Sequence, residues 1–430
     1  MSEQQRKELL AIAGPKLQGA GVLDYVAAWY LKAAQLAQNT GIKVALVSTN
    51  SITQGEQVSI LWGEMLRLGM HIHFAHRTFK WSNEARGNAQ VFCVIVGFGQ
   101  EAIPVRRLFD YATVKGVPQE LRVKNINPYL VDAQNILVSR RNKPLSSVPE
   151  MTKGSQPTDG GYLLLTKEER DDLLKREPNA LPFIRTFIGS QEFINGGQRY
   201  CLWLKDASPS ELKGLPLISE RLRGVREMRL ASSKAATVKF AAYPQLFMED
   251  RQPLNDYLAV PEVSSENRYY VPIGFLSSEV VASNKLQIIS NGSQWLFGVL
   301  TSAMHMTWMR YVTGRLKSDY SYSNSLVYNN FPFPPSPSAK QVAAVEAAAR
   351  QVLAARAQFP QESLATLYDP LTMPPALVKA HQTLDRAVDL CYRTAAFPTE
   401  LSRLEFLFEQ YRQLQTPLLP PAKTRRKTKA

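Results

Sequence analysis

The chain has 430 residues, which is enough for two or three domains rather than a single compact one. Its 45% hydrophobic and 20% charged residues are ordinary for a folded protein and exclude global disorder. The net charge of +14, from 51 Lys and Arg against 37 Asp and Glu, favours a polyanionic partner. No apolar run reaches the ~18 residues of a membrane-spanning helix, and the N-terminus has no apolar secretion signal. We therefore expect a cytoplasmic protein with no membrane association.

The first 110 residues have the pattern of an open α/β sheet. Apolar spacing predicts helices, and the run IKVALVSTN predicts a buried parallel strand that ends in polar turn residues. AQVFCVIVGFG predicts a strongly apolar strand. In chain order the predicted elements are a helix over 23–38, a strand over 42–50, a helix over 60–70, and strands over 71–76 and 89–99.

Two Pro-rich segments divide the rest of the chain. Residues 143–161 are rich in Pro, Gly, Ser and Thr, and PFPPSP follows at 332–337. Ser338 and Gln341 then fit a capping box that opens a helical region. His381 falls on an apolar helical stripe, which favours a packing role over a ligand role. The predicted domains are 1–115, an α+β domain over 116–333, a helical domain over 338–416 and a disordered basic tail over 417–430.

Three of the five histidines lie in the stretch MHIHFAHRTFKWSNEA. His71 and His73 alternate and could chelate a metal from one strand face, but His76 falls past the alternation and no acidic residue lies within this run of histidines. The three cysteines are scattered, which predicts buried thiols rather than disulfides or a zinc site. We therefore predict no metal.

The second half of that stretch is a polar loop with two large aromatic side chains. Phe79 and Trp81 lie beside Arg77 and Lys80, which suits a nucleobase, because base stacking contributes ~1–3 kcal/mol per base regardless of sequence. The residues alone equally allow Phe79 and Trp81 to be core side chains at a loop entry.

Longer motifs carry a family resemblance. GVLDYVAAWYLKAAQLAQNTGIKVALVSTN and FAHRTFKWSNEARGNAQVFCVIVGF resemble the later part of the catalytic domain of γ-class adenine-N6 DNA methyltransferases. STNSITQGEQ, NINPYLVDA, PTDGG and YSNSLVYNNFPFP are similar to MmeI-like (type IIL) restriction–modification enzymes. The resemblance covers residues 20–414. It implies an α/β fold with a partial Rossmann-like methyltransferase sheet, followed by an α+β target-recognition domain and a helical C-terminal domain.

The resemblance also implies roles for individual residues. Phe79 would stack on a flipped adenine, with Trp81 as the neighbouring alternative, because the amino group is inaccessible inside the duplex. Asp24 and Tyr25 match the motif beside the pockets for S-adenosylmethionine and the base.

Some motifs of that family are missing. The chain has no Asn/Asp-Pro-Pro-Phe/Tyr loop, no glycine-rich segment for S-adenosylmethionine and no nuclease segment. We therefore expect the C-terminal portion of such an enzyme, as a split subunit or a gene remnant, beginning just downstream of the catalytic loop. Alone, it should neither bind S-adenosylmethionine well nor methylate DNA. An upstream catalytic or nuclease chain is the expected partner, besides double-stranded DNA.

Two polar segments, SENRYY and GRLKSDYSYSNSLVYNN, have the side chains that read base edges. An arginine-rich run would instead hold phosphates, which gives affinity and salt dependence. The candidates for base and backbone contacts are Glu266, Arg268, Arg315, Lys317, Asp319, Tyr322 and Asn324, and the phosphate candidates are Arg221, Arg223, Arg226 and Arg229.

Two other interpretations stay open at this point. The chain could be a stand-alone DNA-specificity subunit that assembles with a separate catalytic chain. It could also be a metal-dependent enzyme, which would require bound zinc or iron.

Overall fold

The computed structural model describes residues 1–81, 91–111, 113 and 115–415. The predicted disordered tail over 417–430 lies outside these residues. The fold class is confirmed: sheets and helices alternate first, and the last part is helical.

A five-stranded sheet organises the first part of the chain. Its spatial order is β1-β3-β2-β4-β5. Within the described residues of this sheet, β2 and β4 pair in parallel and the other neighbouring strands pair antiparallel. The strands are β1 (Val44–Thr49), β2 (His71–Trp81), β3 (Val91–Gly99), β4 (Arg106–Tyr111) and β5 (Pro118–Val123). The expectation that β1 is a buried parallel strand is thus corrected, because it pairs antiparallel with β3 and its alternate residues are exposed.

Helices cover one face of this sheet. Tyr30 stacks on Phe98 of β3 at 5.8 Å and lies 3.0 Å from the Ser48 hydroxyl of β1. Trp62 meets the edge of Tyr30. The helices are α1 (Glu3–Ala13), α2 (Ala27–Ala37), α3 (Gly55–Gln57) and α4 (Gly63–Arg67), with a π turn, Val58–Trp62, joining the last two.

The middle of the chain builds three further small sheets. Their spatial orders are β12-β10-β14-β6, β11-β16-β15 and β13-β8-β9-β7. The strands are β6 (Thr152–Lys153), β7 (Leu164–Leu165), β8 (Ile184–Ile188), β9 (Tyr200–Leu202), β10 (Tyr257–Pro261), β11 (Val263–Ser264), β12 (Gly274–Leu276), β13 (Val281–Ala282), β14 (Leu286–Ser290), β15 (Gly314–Leu316) and β16 (Asp319–Ser321). The helices are α5 (Lys167–Arg176), α6 (Ser190–Asn195), α7 (Pro209–Lys213), α8 (Pro216–Leu230), α9 (Ala235–Phe240), α10 (Gln294–Thr301) and α11 (Ala303–Val312).

The last part is helical, as predicted. Ser338 caps its first helix, and its hydroxyl and the Gln341 side chain form the expected capping box. The predicted stripe through His381 is buried. The helices are α12 (Ala339–Ala357), α13 (Leu364–Leu367), α14 (Pro375–Tyr392) and α15 (Glu400–Gln415).

The core crosses the predicted domain boundaries. The largest buried cluster draws side chains from Leu9 through to Tyr411. A second cluster lies between Leu163 and Val281, within the predicted recognition domain. The boundaries at 115, 116, 333 and 338 stay predictions, and the first cluster packs parts of all three predicted domains against one another.

Candidate nucleic-acid interface

A cleft of about 750 Å³ lies between the first sheet and the hairpin of β15 and β16. Four of the residues predicted from sequence line it, although they come from parts of the chain that are more than 200 residues apart. Its polar and charged lining is Asp24, Thr49, Asn50, Ser51, Gln54, Glu56, Gln57, Arg140, Glu266, Arg315, Lys317 and Ser318. We call this the junction cleft.

Two glycines bring the walls of the junction cleft together. Gly55 has a positive φ of +62°, and a Cβ there would lie 2.9 Å from the Cα of Gly314 at the start of β15. A side chain at Gly55 would therefore be strained by its own backbone and would collide with the hairpin. The motif STNSITQGEQ thus positions one wall of the cleft against the other.

The hairpin presents charged groups to the cleft. Lys317 lies at its tip with a φ of +59°, between the paired residues Leu316 and Asp319. Arg315 stacks over Tyr320 at 4.0 Å and donates to the Ser318 carbonyl. Because β11 pairs with β16, Glu266 comes to lie 3.8 Å from the Arg315 guanidinium.

The opposite wall is also charged. Asp24 accepts a hydrogen bond from the Gln57 amide at 2.8 Å, and Glu56 pairs with Arg140 at 2.9 Å. Three acidic and three basic side chains line the cleft altogether, so the cleft carries no net charge. Such a balanced set of forked and planar groups suits base recognition better than unspecific phosphate binding.

The aromatic side chain at the cleft is one that the sequence did not single out. Phe92 of β3 lines the cleft. In the β2–β3 ladder Phe92 lies opposite Lys80, whereas Phe79 lies opposite Cys93. Cross-strand partners share a face and successive residues alternate, so Phe79 is on the other side of the sheet. There it stacks with Tyr111 at 5.5 Å. Phe92 was missed because it opens an apolar strand and so resembles a core residue.

Trp81 lies at the end of β2, next to residues that are not described. Its side chain is 48% exposed, and its ring centroid is 6.2 Å from that of Phe79. It contacts the other predicted aromatic and is accessible. Phe79 and Trp81 therefore stay predictions as base-stacking residues.

The two residues predicted to bind the cofactor lie in different surroundings. Asp24 lines the cleft, but its carboxylate is held by Gln57. Tyr25 donates its hydroxyl to Glu8, and this hydrogen bond raises the pKa of Tyr25. Asp24 and Tyr25 therefore point to different partners, and both stay predictions as cofactor-binding residues.

The arginine run lies on α8. Arg223 and Arg226 are exposed one helical turn apart. Arg221 is half-buried, where it pairs with Glu169 at 3.0 Å and donates to the Tyr162 carbonyl. Arg223 and Arg226 are therefore the accessible phosphate candidates of this helix.

Arg229 does not fit the phosphate-binding role predicted for this run of arginines. Its side chain is fully buried, and burial lowers its pKa. All five of its N–H groups donate to backbone carbonyls, which leaves none for a phosphate. The acceptors are the carbonyls of Pro157, Thr158, Phe240, Tyr243 and Leu246. Arg229 therefore holds α8 against two loops.

Tyr322 does not fit its predicted role as a DNA contact either. It is 3% exposed, and its hydroxyl lies 2.8 Å from Nε2 of the buried His305. Burial raises the pKa of Tyr322 well above its usual value. A base edge cannot reach this hydroxyl, so Tyr322 supports the fold beneath the hairpin.

Three other residues predicted to contact DNA already have partners within the protein. Asn324 is half-buried and donates to the Met151 carbonyl at 2.9 Å. Arg268 is half-buried and donates to Ser264, and Asp319 closes the hairpin opposite Leu316. These three residues remain predicted DNA contacts.

Two of the three clustered histidines have hydrogen-bond partners within the protein. His73 Nε2 lies 2.7 Å from the Glu101 carbonyl, and His76 Nδ1 lies 2.7 Å from the Tyr111 hydroxyl. Across the described part of the chain, no three His, Cys, Asp or Glu side chains are grouped as a metal site would require. Likewise, no helix within those residues is long and apolar enough to cross a membrane.

Three family models match successive parts of the chain. The MmeI DNA-methyltransferase domain matches residues 1–110, the MmeI target recognition domain matches 132–335, and the MmeI C-terminal domain matches 337–419. The chain belongs to the MmeI family. The resemblance drawn from the sequence motifs is thereby confirmed.

Two relatives in the family show the extent of the match. The chain is 43% identical to DNA methyltransferase A of Bacillus subtilis (strain 168), over 96% of this chain and 46% of that protein. It is 48% identical to the type IIL restriction–modification enzyme MmeI, whose structure was solved in complex with DNA. That superposition has a TM-score of 0.88 and covers 96% of this chain and 55% of MmeI. The chain thus spans about half the length of each.

Proposed function

We propose that this chain is the C-terminal portion of a site-specific DNA adenine-N6 methyltransferase of the restriction–modification type. In this proposal it binds duplex DNA and recognises the target sequence. The observation that carries the proposal is the junction cleft, in which residues of the methyltransferase part face Glu266, Arg315 and Lys317 of the target-recognition part. The family, a family of DNA methyltransferases, fits this arrangement.

Affinity and sequence recognition fall to different residues. A forked guanidinium such as that of Arg315 suits the O6 and N7 atoms of guanine, and a carboxylate such as that of Glu266 suits the amino group of cytosine. The cleft has no net charge, so attraction to the phosphates has to come from outside it. Arg223 and Arg226 on α8 supply that attraction.

The target adenine is flipped out of the duplex and stacked on an aromatic side chain. Phe79 and Trp81 are the candidates from the sequence motif. Phe92 is a third candidate, because it lines the cleft beside Asn50 and Gln54. The fluorescence of 2-aminopurine at the target position depends on stacking, so a Phe92→Ala variant that still binds DNA but changes this fluorescence would support Phe92. An unchanged signal would count against it.

S-adenosylmethionine is the methyl donor of the complete enzyme in this proposal. Asp24 and Tyr25 are each hydrogen-bonded to another residue of this chain, and the sequence has neither the glycine-rich segment for S-adenosylmethionine nor the Asn/Asp-Pro-Pro-Phe/Tyr loop. The chain alone therefore neither binds the cofactor well nor methylates DNA. An upstream catalytic or nuclease polypeptide completes the enzyme, and the assembly works in the cytoplasm.

A stand-alone DNA-specificity subunit is the second candidate. One observation favours this candidate. The residues predicted to read bases, Glu266, Arg315 and Lys317, line one cleft, whereas of the two predicted cofactor residues only Asp24 lines it. A specificity subunit would bind its site with full affinity before any catalytic chain is added. A fragment of a split enzyme would bind more tightly once its other half is present.

The phosphate assignment is tested by fluorescence anisotropy on a labelled duplex over a series of salt concentrations. Replacing Arg223 and Arg226 together by Gln should weaken binding to all sequences equally and lower the slope of log K against log salt by about 2. Replacing the exposed Arg350 and Arg386 of the C-terminal helices by Gln is the matched control. Equal losses of DNA affinity in both double variants would contradict the assignment of Arg223 and Arg226 as phosphate contacts.

Methyl transfer tests the completeness of the chain. The purified single chain is incubated with duplex DNA and S-adenosylmethionine that carries a labelled methyl group. We expect no labelled adenine, and methylation by the chain alone would refute the proposal that its catalytic machinery is incomplete.

A further inference from the structure

Arg310 of α11 joins three separate parts of the chain. Its side chain is 20% exposed, and its Nη1 donates to the Glu400 carboxylate of α15 at 2.8 Å. Its Nη2 donates to the Tyr269 carbonyl, and the Tyr320 hydroxyl of β16 interacts with the same guanidinium. One guanidinium therefore links the C-terminal helices, residues 266–270 and the hairpin of β15 and β16.

Two of these contacts lead to the residues proposed to read bases. Tyr320 is 5% exposed and carries the Arg315 guanidinium over its ring at 4.0 Å. Tyr269 follows Glu266 by three residues, so holding its carbonyl limits how far Glu266 can move. Arg315 and Glu266 themselves lie 3.8 Å apart. Arg310 thus supports both members of this pair, one through an aromatic ring and the other through the backbone.

The C-terminal helices hold residues 266–270 at a second point. The Tyr270 hydroxyl donates to Asp385 of α14 at 2.6 Å, and the Tyr270 ring stacks on His381 at 4.0 Å. The other carboxylate oxygen of Asp385 accepts from the Ala303 N–H at 2.7 Å, at the first residue of α11. The same helical part therefore fixes both residues 266–270 and the helix that carries Arg310.

The position of Arg310 depends on Glu400. Both side chains line a cavity of about 280 Å³, so the guanidinium has room to move once its ion pair is lost. Asp110 lines the same cavity, but it already pairs with Arg77 at 2.9 Å. A largely buried guanidinium without a counter-charge is unfavourable. Loss of Glu400 is therefore expected to displace Arg310 from Tyr269.

We propose that Glu400 and Arg310 are positioning residues for the recognition of a DNA sequence. Neither residue has to touch the DNA, because Glu400 orients Arg310, and Arg310 holds Glu266 and Arg315 in the geometry that a base edge requires. A forked contact depends on direction as well as charge, so a displaced guanidinium loses discrimination before it loses attraction. This proposal rests on the proposed function and gives the C-terminal helical part a role in sequence recognition.

The test compares two carboxylates of the C-terminal helices. Glu400→Gln removes the partner of Arg310 at a side chain that is 42% exposed, so we expect the chain to remain folded. Asp389→Asn is the matched control, since it removes the same charge and breaks a more buried ion pair, with Arg403 at 2.6 Å, that joins α14 to α15. An effect on stability alone would be at least as large in the control.

Sequence preference is measured in two steps. The unaltered chain first selects bound molecules from a duplex library with randomised positions. Competition anisotropy then compares the most enriched duplex with versions in which one base pair is changed and with a scrambled duplex. We expect Glu400→Gln to lower the preference at one or two base pairs about fivefold, which is the lower end of what a single forked contact contributes. Its affinity for the scrambled duplex, and the preference of Asp389→Asn, should match those of the unaltered chain.

Arg310→Lys is a second and independent variant. Its ammonium group keeps the charge and can still pair with Glu400, but it lacks the fork that meets several acceptors at once. We expect it to lose the preference at the same base pairs as Glu400→Gln. Urea denaturation checks that each protein compared is folded.

The remaining outcomes separate this inference from the proposed function. An unchanged preference in Glu400→Gln and Arg310→Lys, an equal loss in Asp389→Asn, or a uniform loss of affinity on every duplex would overturn the positioning role and leave DNA recognition intact. A folded, unaltered chain that prefers no duplex would instead refute the proposed function, and the positioning role with it.

Discussion

Arg229→Met tests the conclusion that one arginine of α8 is structural while its neighbours face the solvent. The substitution keeps an unbranched side chain of similar length and removes all five donors. Five backbone carbonyls, from the loop at 157–158 and from the end of α9 and the loop after it, then lose their partner. These loops flank the buried cluster that α8 shares with the surrounding strands.

The size of the effect follows from these contacts. A hydrogen bond from a charged donor contributes about 1.5–3 kcal/mol, but the five are not additive. Burying the guanidinium costs several kcal/mol, which methionine avoids. A buried acceptor left without its donor costs about 1–3 kcal/mol. With five carbonyls affected, we expect Arg229→Met to lower the free energy of unfolding by about 3 kcal/mol or more. Arg226→Met, at an exposed position on the same helix, should change it by less than about 0.5 kcal/mol.

Urea denaturation followed by circular dichroism measures both variants. Anisotropy on a labelled duplex is then recorded under conditions where each variant is folded. We expect Arg229→Met to lose stability and keep its DNA affinity, and Arg226→Met to do the reverse. If Arg229→Met lost less than about 1 kcal/mol of stability and bound DNA more weakly, the structural assignment would be refuted.

Three further predictions follow from single contacts. Gly55→Ala should lose about 1–3 kcal/mol of stability in urea, because it combines a positive φ with a collision at Gly314, whereas Gly14→Ala, with a positive φ in open space, should lose less. Equal losses of stability in the two variants would contradict the close contact between Gly55 and Gly314. Burial lowers the pKa of His305 to about 3, so the stability it contributes is complete above pH 6.5 and falls by about 1.4 kcal/mol per pH unit as the pH drops below that. His305→Gln should flatten that slope in urea melts, and an unchanged slope would refute the assignment. Arg315→Ala should relax the preference for one base pair by about 1–3 kcal/mol in competition binding; a uniform loss on all sequences would show a phosphate contact instead.

Local features of the fold could be predicted from the sequence because they depend on near neighbours. The capping box at Ser338 and Gln341 involves residues three positions apart, and the stripe through His381 follows from helical spacing. The direction in which β1 pairs could not be predicted in this way. It depends on β3, more than forty residues later, and an apolar run does not encode the orientation of its partner.

The candidate site also combines features that the sequence predicts with features that it does not. Glu266, Arg315 and Lys317 could be proposed from side-chain chemistry alone, but the junction cleft that joins them to Asp24 forms only in the folded chain. A helical wheel could have separated Arg229 from the other arginines, since Ile218, Leu222, Val225 and Arg229 form the buried stripe of α8. Phe92 gave no such signal, because a single aromatic at the start of an apolar strand is typical of a core.

We propose that this chain recognises a DNA sequence through the junction cleft. Selection of bound molecules from a duplex library with randomised positions, followed by sequencing, tests it most directly. We expect enrichment of a single short motif by the unaltered chain, and loss of information at one position of that motif with Arg315→Ala. Enrichment of no motif by the folded chain, or the same motif at full strength from Arg315→Ala, would contradict it.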